Sequence, residues 1–291
     1  SFKNTAKDIL ITSQLRTALI LNKKVKAANF NIDTVNQITY VFGIAHSEEE
    51  KKQIKILAIG DIMGRPGRNC LKTHMPQIRQ DYQPDLVVLN GENIAGGFGV
   101  TEKIFCELKE AHHFDVMTTG NHWHDQKEIY TFKEKYKELL LPANMYNVDD
   151  YRKGYCLVET SSGVPVGVIN LTGKLFMKGD NRCPFKQADQ ILSALSSQTK
   201  IIVVDLHAEA SSEKQAMGQY LCGRASLVYG THTHCPTADH RILNQQTGFV
   251  TDLGMTGGYQ SVIGMGANEA LGRFLHPQKV HRRMQPAKED P

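Results

Sequence analysis

Residues 227–234 of this chain read Leu-Val-Tyr-Gly-Thr-His-Thr-His. An apolar run typical of a buried strand is followed there by a glycine and then by His232 and His234. Because residues i and i+2 of an extended backbone share one face, we expect both imidazoles to converge at the end of a strand. Neutral imidazole is the commonest metal ligand in proteins. Taken alone, the pair fits two surface histidines equally well.

Short apolar runs of the same kind recur from residue 54 onward and alternate with stretches of helical spacing. The predicted strands lie in the runs 54–59, 86–89, 116–118, 164–171, 201–206, 227–229 and 249–253. The predicted helices lie at residues 66–82, 101–111, 125–138, 186–197 and 211–219. This alternation predicts an α/β fold with buried sheets. In such folds, ligands gather outside the carboxyl ends of the strands.

Side chains that can bind metals follow five of the predicted strands. These candidate ligands are Asp61, Glu92, Asn93, Asn121, His207, His232 and His234. In four of the segments a glycine stands one or two residues before the first ligand, which lets the backbone approach closely. Two divalent cations about 3.5–4 Å apart can hold a phosphoryl group, provided that a carboxylate bridges them and that the other ligands mix nitrogen and oxygen. His122 is left over as an acid for a leaving oxygen.

The order of these motifs resembles that of the calcineurin-like metallophosphoesterase superfamily. Four segments are similar to the YmdB-type bacterial phosphodiesterases within it: Asn-Gly-Glu-Asn at 90–93, Ile-Asn-Leu at 169–171, Asp-Leu-His-Ala-Glu-Ala at 205–210 and Thr-Asp-Leu-Gly-Met-Thr-Gly at 251–257. The resemblance spans residues 54–274. It implies a four-layer α/β/β/α sandwich, in which two central sheets are flanked by helices.

The resemblance also implies two metal sites that share the carboxylate of Glu92. The implied ligands are Asp61, Glu92, Asn93 and His234 at the first site, and Glu92, Asn121, His207 and His232 at the second. Two divalent or mixed-valence ions of iron, manganese or zinc suit these nitrogen and oxygen donors. His122 would be the proton donor.

The activity implied by the resemblance is hydrolysis of phosphodiesters, with 2′,3′-cyclic nucleotides as the leading substrates, through attack of a metal-bound hydroxide. A small anionic phosphoester is therefore the expected partner. Two alternatives stay open: a regulatory or nucleotide-binding protein that keeps the metal site but has little turnover, and a phosphomonoesterase that acts on small metabolites. A homo-oligomer is compatible with each of them.

The two ends of the chain differ from its centre. Residues 8–21 predict a helix, 30–34 and 38–44 two strands of a hairpin, and 47–50 the start of another helix. This order resembles a truncated BON module, so residues 1–53 are expected to form a small α+β appendage that mediates an interaction. Residues 54–275 would form the metallophosphoesterase domain, and the polar residues 276–291 a tail.

The composition is that of a globular protein without an obvious nucleic-acid, disulfide or membrane signature. A hydrophobic content of 41% and a charged content of 22% are ordinary for a globular protein, and the net charge of +4 does not require nucleic acid as a partner. The six cysteines are scattered without a Cys-x-x-Cys pair, which favours free thiols in the cytoplasm. No apolar run approaches the roughly 18 residues that span a bilayer.

Overall fold

A computed structural model describes residues 30–35, 38–46, 53–279 and 283–288, with the backbone alone for residues 30–46 and 53. Its first sheet has the strand order β1-β2-β3-β5-β6. The strands are β1 (Phe30–Val35), β2 (Ile38–His46), β3 (Gln53–Ile59), β5 (Leu86–Asn90) and β6 (Val116–Thr118). The last three are parallel, whereas β2 is antiparallel to both of its neighbours.

The second sheet has six strands in the order β11-β12-β10-β9-β8-β7. They are β7 (Tyr155–Glu159), β8 (Pro165–Thr172), β9 (Ile202–His207), β10 (Leu227–Thr231), β11 (Arg241–Leu243) and β12 (Thr247–Val250). The four central strands are parallel, and the two edge strands are antiparallel to their neighbours. Two short strands, β4 (Asp61–Ile62) and β13 (Met255–Thr256), pair separately.

Six α-helices lie between or after these strands in the described part of the chain. They are α1 (Gly64–Tyr82), α2 (Glu102–His112), α3 (Ile129–Phe132), α4 (Pro184–Leu195), α5 (Ser211–Tyr220) and α6 (Ala267–Leu275), and one 3₁₀ turn spans Tyr151–Gly154. The helix predicted at 125–138 was wrong in extent, because only four of those residues are helical. Turns and bends flank those four residues, and the N–H of Lys135 donates to the carbonyl of Phe132, three residues back, so the α-helical pattern does not continue.

Three separate hydrophobic cores show how the layers stack. In β3, Ile56 faces the second sheet, whereas Leu57 packs with α1 and α2. In β9, Val203 faces the first sheet, whereas Val204 packs with α4 and α5. Successive strand residues point to opposite faces, so apolar runs without alternation indicate sheets that are buried on both sides. The predicted four-layer α/β/β/α sandwich is confirmed.

The N-terminal hairpin extends the first sheet, since β2 pairs with β3 from Val41↔Ala58 to His46↔Gln53. The helix predicted at 8–21 and the helix start predicted at 47–50 lie outside the described residues. The BON resemblance is not confirmed, and the domain boundaries stay a prediction. Within the described ranges, none of the helices combines the length and apolarity that a membrane span needs.

Candidate metal centre

The parallel strands of both sheets bring the predicted site residues to one edge of the sandwich. Asp61 follows β3 and Glu92 follows β5, both in the first sheet, and His232 follows β10 in the second. His207 is the last residue of β9. The carboxyl ends of strands from two sheets therefore meet around one cluster of polar side chains.

Two groups of possible ligand atoms lie within this cluster, and each has its atoms within 4.8 Å of one another. One group contains Asp61, Glu92 and His234, and the other contains Glu92, His207 and His232. Only Glu92 belongs to both groups, which is the arrangement that a bridging carboxylate requires.

Two asparagines stand beside these groups. Asn121 places Oδ1 3.0 Å from His207 Nε2, at the second group. Asn93 lies at the first group, with Nδ2 3.0 Å from Glu92 Oε1 and 3.2 Å from His234 Nε2. Rotation of that amide about its last torsion exchanges Nδ2 for Oδ1, the atom that could bind a cation.

Each of the three histidines directs one ring nitrogen into the cluster and holds the other against a protein oxygen. Nδ1 of His207 lies 2.9 Å from Thr231 Oγ1, and Nδ1 of His234 lies 2.8 Å from the carbonyl oxygen of Ile263. Nε2 of His232 lies 3.0 Å from Glu209 Oε2. Thr231 donates its own hydroxyl proton to Asp205 at 2.7 Å, so His207 Nδ1 must donate to Thr231. Outer contacts of this kind fix the tautomer and the orientation of metal-binding imidazoles.

Asp61 shows that the cluster fits a cation. Its side chain is fully buried, Oδ2 accepts the main-chain N–H of His232 at 3.0 Å, and Oδ1 accepts no hydrogen bond. Burial raises the pKa of Asp61, and the nearby imidazoles of His234 and His207 offset this effect only in part. A divalent cation would satisfy the orphaned oxygen, and the mixed nitrogen and oxygen donors suit iron, manganese or zinc.

Charges inside the cluster are strongly coupled. Burial alone would raise the pKa of Glu92, but the surrounding histidines, His207 above all, hold it well below its usual range. Burial opposes the charge of His207, yet Glu92 and Asp61 raise its pKa to about 9. Burial and the neighbouring charge of His207 lower the pKa of His232 to about 3. A metal ion binding here would displace the proton of His207.

Close packing explains two of the glycines that precede ligands. A Cβ at Gly120 would stand 2.2 Å from His207 Nε2 and 2.3 Å from Glu92 Oε2, inside the ligand cluster. A Cβ at Gly230 would stand 1.9 Å from the carbonyl oxygen of Thr251. Neither glycine has a positive φ, so the requirement is for space rather than for a left-handed turn.

His122 lies at the edge of the cluster. Its main-chain N–H donates to Glu92 Oε2 at 3.2 Å, and its Nδ1 is 3.1 Å from Asp125 Oδ2. The imidazole is 31% exposed, so a substrate can reach it. With Nδ1 directed at a carboxylate, Nε2 is the nitrogen left to exchange a proton with a ligand.

Comparison with known proteins identifies the family. A family model described as YmdB-like protein matches residues 57–291. The chain belongs to this family. A 2′,3′-cyclic-nucleotide 2′-phosphodiesterase from Bacillus subtilis (strain 168) is 42% identical to this YmdB-like chain over 221 residues, which is 76% of this chain and 82% of that protein. A putative phosphatase/phosphodiesterase from Mycoplasma pneumoniae is 34% identical over 78% of this chain and 82% of that protein.

Two solved structures share the fold of this YmdB-like chain. A hypothetical protein from Thermus thermophilus is 38% identical with a TM-score of 0.72, covering 80% of this chain and 88% of that one. A novel phosphatase from Mycoplasma pneumoniae is 32% identical with a TM-score of 0.72, covering 81% of this chain and 83% of that one. The resemblance found in the motifs is thereby confirmed, whereas the role of each ligand residue stays a prediction.

The backbone that carries His232 and His234 in this YmdB-like chain differs from the sequence prediction. Strand β10 ends at Thr231, and His232 and His234 have φ angles of +97° and +63°. The expectation that an extended strand aligns both imidazoles was wrong. A left-handed turn directs them instead, and its cost of order 1–3 kcal/mol per residue is typical of functional sites.

One contact behind this turn was missed by sequence reasoning. Asp252 Oδ2 accepts both the N–H and the hydroxyl of Thr233, the residue between the two histidines, at 3.3 and 2.8 Å. The same oxygen accepts the ammonium of Lys214 at 2.5 Å, and both charged side chains are 1% exposed. Lys214 lies on α5, whose sequence is mostly polar, so the sequence does not indicate that this lysine is buried.

A second missed residue is Asp205, which lies fully buried beneath His207. Thr118 donates to it from the first sheet at 2.5 Å, and Thr231 donates to it from the second at 2.7 Å. Burial raises the pKa of Asp205 to about 6, against the effect of these hydroxyls. Its carboxylate therefore orients Thr231 and, through it, the imidazole of His207.

Proposed function

We propose that this YmdB-like protein hydrolyses phosphodiesters, with 2′,3′-cyclic nucleotides as substrates and two metal ions as cofactors. The observation that carries the proposal is the pair of ligand groups that share Glu92, with His122 tied by its main chain to the same carboxylate. The name of the Bacillus subtilis relative, a 2′,3′-cyclic-nucleotide 2′-phosphodiesterase, supports the substrate class.

The proposed ligands divide between the two ions according to the groups they form. The first ion would be held by Asp61, Glu92, Asn93 and His234, and the second by Glu92, Asn121, His207 and His232. Bound at such a site, two divalent cations supply Lewis acidity toward phosphoryl oxygens and lower the pKa of bound water. Their identity among iron, manganese and zinc is open to metal analysis.

His122 would act on the leaving oxygen. In a 2′,3′-cyclic nucleotide, water adds to phosphorus, the bond between phosphorus and the 2′ oxygen breaks, and His122 protonates that oxygen to give a free 2′-hydroxyl and a 3′-phosphate. Asp125 holds Nδ1 of the imidazole at 3.1 Å, which leaves Nε2 to donate the proton. General acid catalysis of this kind contributes about 10²- to 10⁴-fold to a rate.

The test compares two histidine substitutions in the manganese-loaded protein, with 2′,3′-cyclic AMP as substrate and ³¹P NMR to identify the product. His122→Asn should lower kcat by about 10²- to 10⁴-fold. The matched control is His113→Asn, because His113 is exposed and its φ of +48° suits asparagine. Full activity of His122→Asn would contradict the proton-donor role of His122. Tight nucleotide binding without product by the unsubstituted protein would contradict the hydrolytic function and favour the regulatory alternative.

Phosphomonoester hydrolysis is a second candidate, because the Mycoplasma pneumoniae relatives are named a putative phosphatase/phosphodiesterase and a novel phosphatase. The same ligand groups would serve both reactions. The ratio of kcat/KM for bis-p-nitrophenyl phosphate to that for p-nitrophenyl phosphate separates them. A ratio above one supports the phosphodiesterase, and a ratio below one supports the phosphatase.

A further inference from the structure

The C-terminal residues 283–288 pack against the loops that carry the first ligand group. Ala287 is 7% exposed and donates its N–H to the carbonyl of Gly264 at 2.8 Å. Pro286 lies so close to Gly97 that a Cβ there would stand 3.0 Å from its ring. Gly97 follows Glu92 in the same loop, so the polar tail predicted at 276–291 reaches the site in its described part.

This segment places Arg283 beside the proposed proton donor. The guanidinium carbon lies 4.3 Å from the centre of the Phe98 ring, and Nη2 lies 3.6 Å from Asp125 Oδ2. The same Oδ2 is 3.1 Å from His122 Nδ1. The Phe98 ring meets the imidazole of His122 edge to face, with 5.1 Å between the ring centres. Both groups that touch the imidazole are therefore also touched by Arg283.

These contacts contribute little to the stability of the fold. The Arg283 side chain is 58% exposed, and exposed ion pairs stabilise a fold little. Asp125 Oδ2 lies 3.6 Å from the Arg283 cation, in an ion pair, and within hydrogen-bond distance of His122 Nδ1, at 3.1 Å. A carboxylate held from two directions has fewer orientations than one held by His122 alone. The contacts therefore act on the geometry of the imidazole.

We propose that Arg283 is a positioning residue for His122, acting through Asp125 and Phe98. The C-terminal segment thus completes the site by fixing the ring that protonates the leaving oxygen. This inference rests on the proposed function, in which His122 is the proton donor. It assigns Arg283 an effect on kcat, since the imidazole acts in the transition state, and not on substrate binding.

The experiment measures kcat and KM for 2′,3′-cyclic AMP in the manganese-loaded full chain. Arg283→Met keeps the stem against Phe98 and removes the charge, and it should lower kcat about five- to tenfold with KM changed less than about twofold. Arg283→Lys should recover about half of the lost kcat, because an ammonium can still reach Asp125. The control is Arg152→Met, which removes a 71% exposed arginine that pairs with Asp150; its kcat should not change.

A double-mutant cycle tests whether the effect passes through Asp125. Asp125→Asn should lower kcat, and adding Arg283→Met to it should lower kcat by less than about a further twofold. Equal metal content and an unchanged melting temperature of Arg283→Met would exclude a general structural effect. A rise in KM at constant kcat would overturn the proposal, because it would show that Arg283 binds the substrate itself.

Comparison of Arg283→Met with His122→Asn and the unsubstituted protein separates this inference from the proposed function. If His122→Asn is inactive while Arg283→Met matches the wild type, the positioning role fails and the proposed function stands. If His122→Asn keeps full activity, hydrolysis stands, but the proton-donor role of His122 fails and the positioning role of Arg283 fails with it. If the unsubstituted protein forms no product from 2′,3′-cyclic AMP, the proposed function itself fails.

Discussion

Replacing Lys214 with methionine tests the buried ion pair behind the histidine turn. Methionine matches the length of the lysine stem, so the substitution removes the charge with little change of volume. It leaves Asp252, which is 1% exposed, without its cation. Removing one partner of a buried pair costs about 3–5 kcal/mol, because the other charge remains buried and uncompensated. The two hydrogen bonds from Thr233 would remain and place the loss toward the lower end of that range.

Urea unfolding in the presence of a chelator measures this loss without a contribution from bound metal. For an m-value of about 3 kcal/mol per molar, a loss of about 3 kcal/mol lowers the midpoint by about 1 M. Lys186→Met is the control, because Lys186 is exposed on α4 and its loss should change stability by less than about 0.5 kcal/mol. The double variant Lys214→Met/Asp252→Asn should regain most of the loss, since no charge is then unpaired.

A loss below about 1 kcal/mol in Lys214→Met would contradict this prediction, because the pair would then contribute no more than an exposed one. The prediction would also be refuted if the double variant were no more stable than the single one. Either result would mean that water reaches Asp252 and that the turn of His232 and His234 is held by other contacts.

Three further predictions concern other parts of the molecule. Although burial opposes the charge of His207, the neighbouring carboxylates raise its pKa from 6.5 to about 9. The protonated imidazole therefore stabilises the metal-free protein by about 3 kcal/mol. This stabilisation is fully present below pH 6.5 and is lost as the pH rises through 9. Urea titrations at pH 6.5 and 9 measure this loss, which should be absent from His207→Gln. Gly120→Ala should bind less metal, because its Cβ would stand 2.2 Å from a ligand nitrogen. Elemental analysis measures this, and Gly266→Ala, whose Cβ would have its nearest neighbour at 3.6 Å, should keep its metal. Iodoacetamide at pH 8 should label exposed Cys235 before Cys156, whose pKa burial raises to about 12, and mass spectrometry after short exposure would detect the opposite order.

The strands and the set of candidate ligands were readable from the sequence because each depends on local order. An apolar run followed by a glycine and a polar side chain predicts a buried strand and what stands at its end. Parallel strands then bring residues as distant in the chain as Asp61 and His234 together, with 3.7 Å between the carboxylate and the imidazole. The family resemblance supplied the pairing of the two sheets, which spacing alone does not give.

The contacts that orient those ligands were not readable, because they depend on residues far away in the chain. The turn at His232 is held by Asp252, which follows it by 20 positions and is itself held by Lys214. Arg283 meets Asp125 across more than 150 residues, and nothing in the composition of a polar tail predicts that contact. Long-range polar contacts leave no periodic pattern in the sequence.

Glu92 follows β5 of the first sheet, whereas His207 ends β9 and His234 lies beyond the end of β10, both in the second sheet. An ion held by either group would therefore cross-link the two halves of the sandwich at its open edge. Its binding free energy would add to the cohesion of the sheets, by about 4 kcal/mol at a free concentration one thousand times the dissociation constant. Metal supply would then affect the thermal stability of the protein as well as its turnover. Loss of metal would favour unfolding from the edge of the sandwich that holds the proposed site.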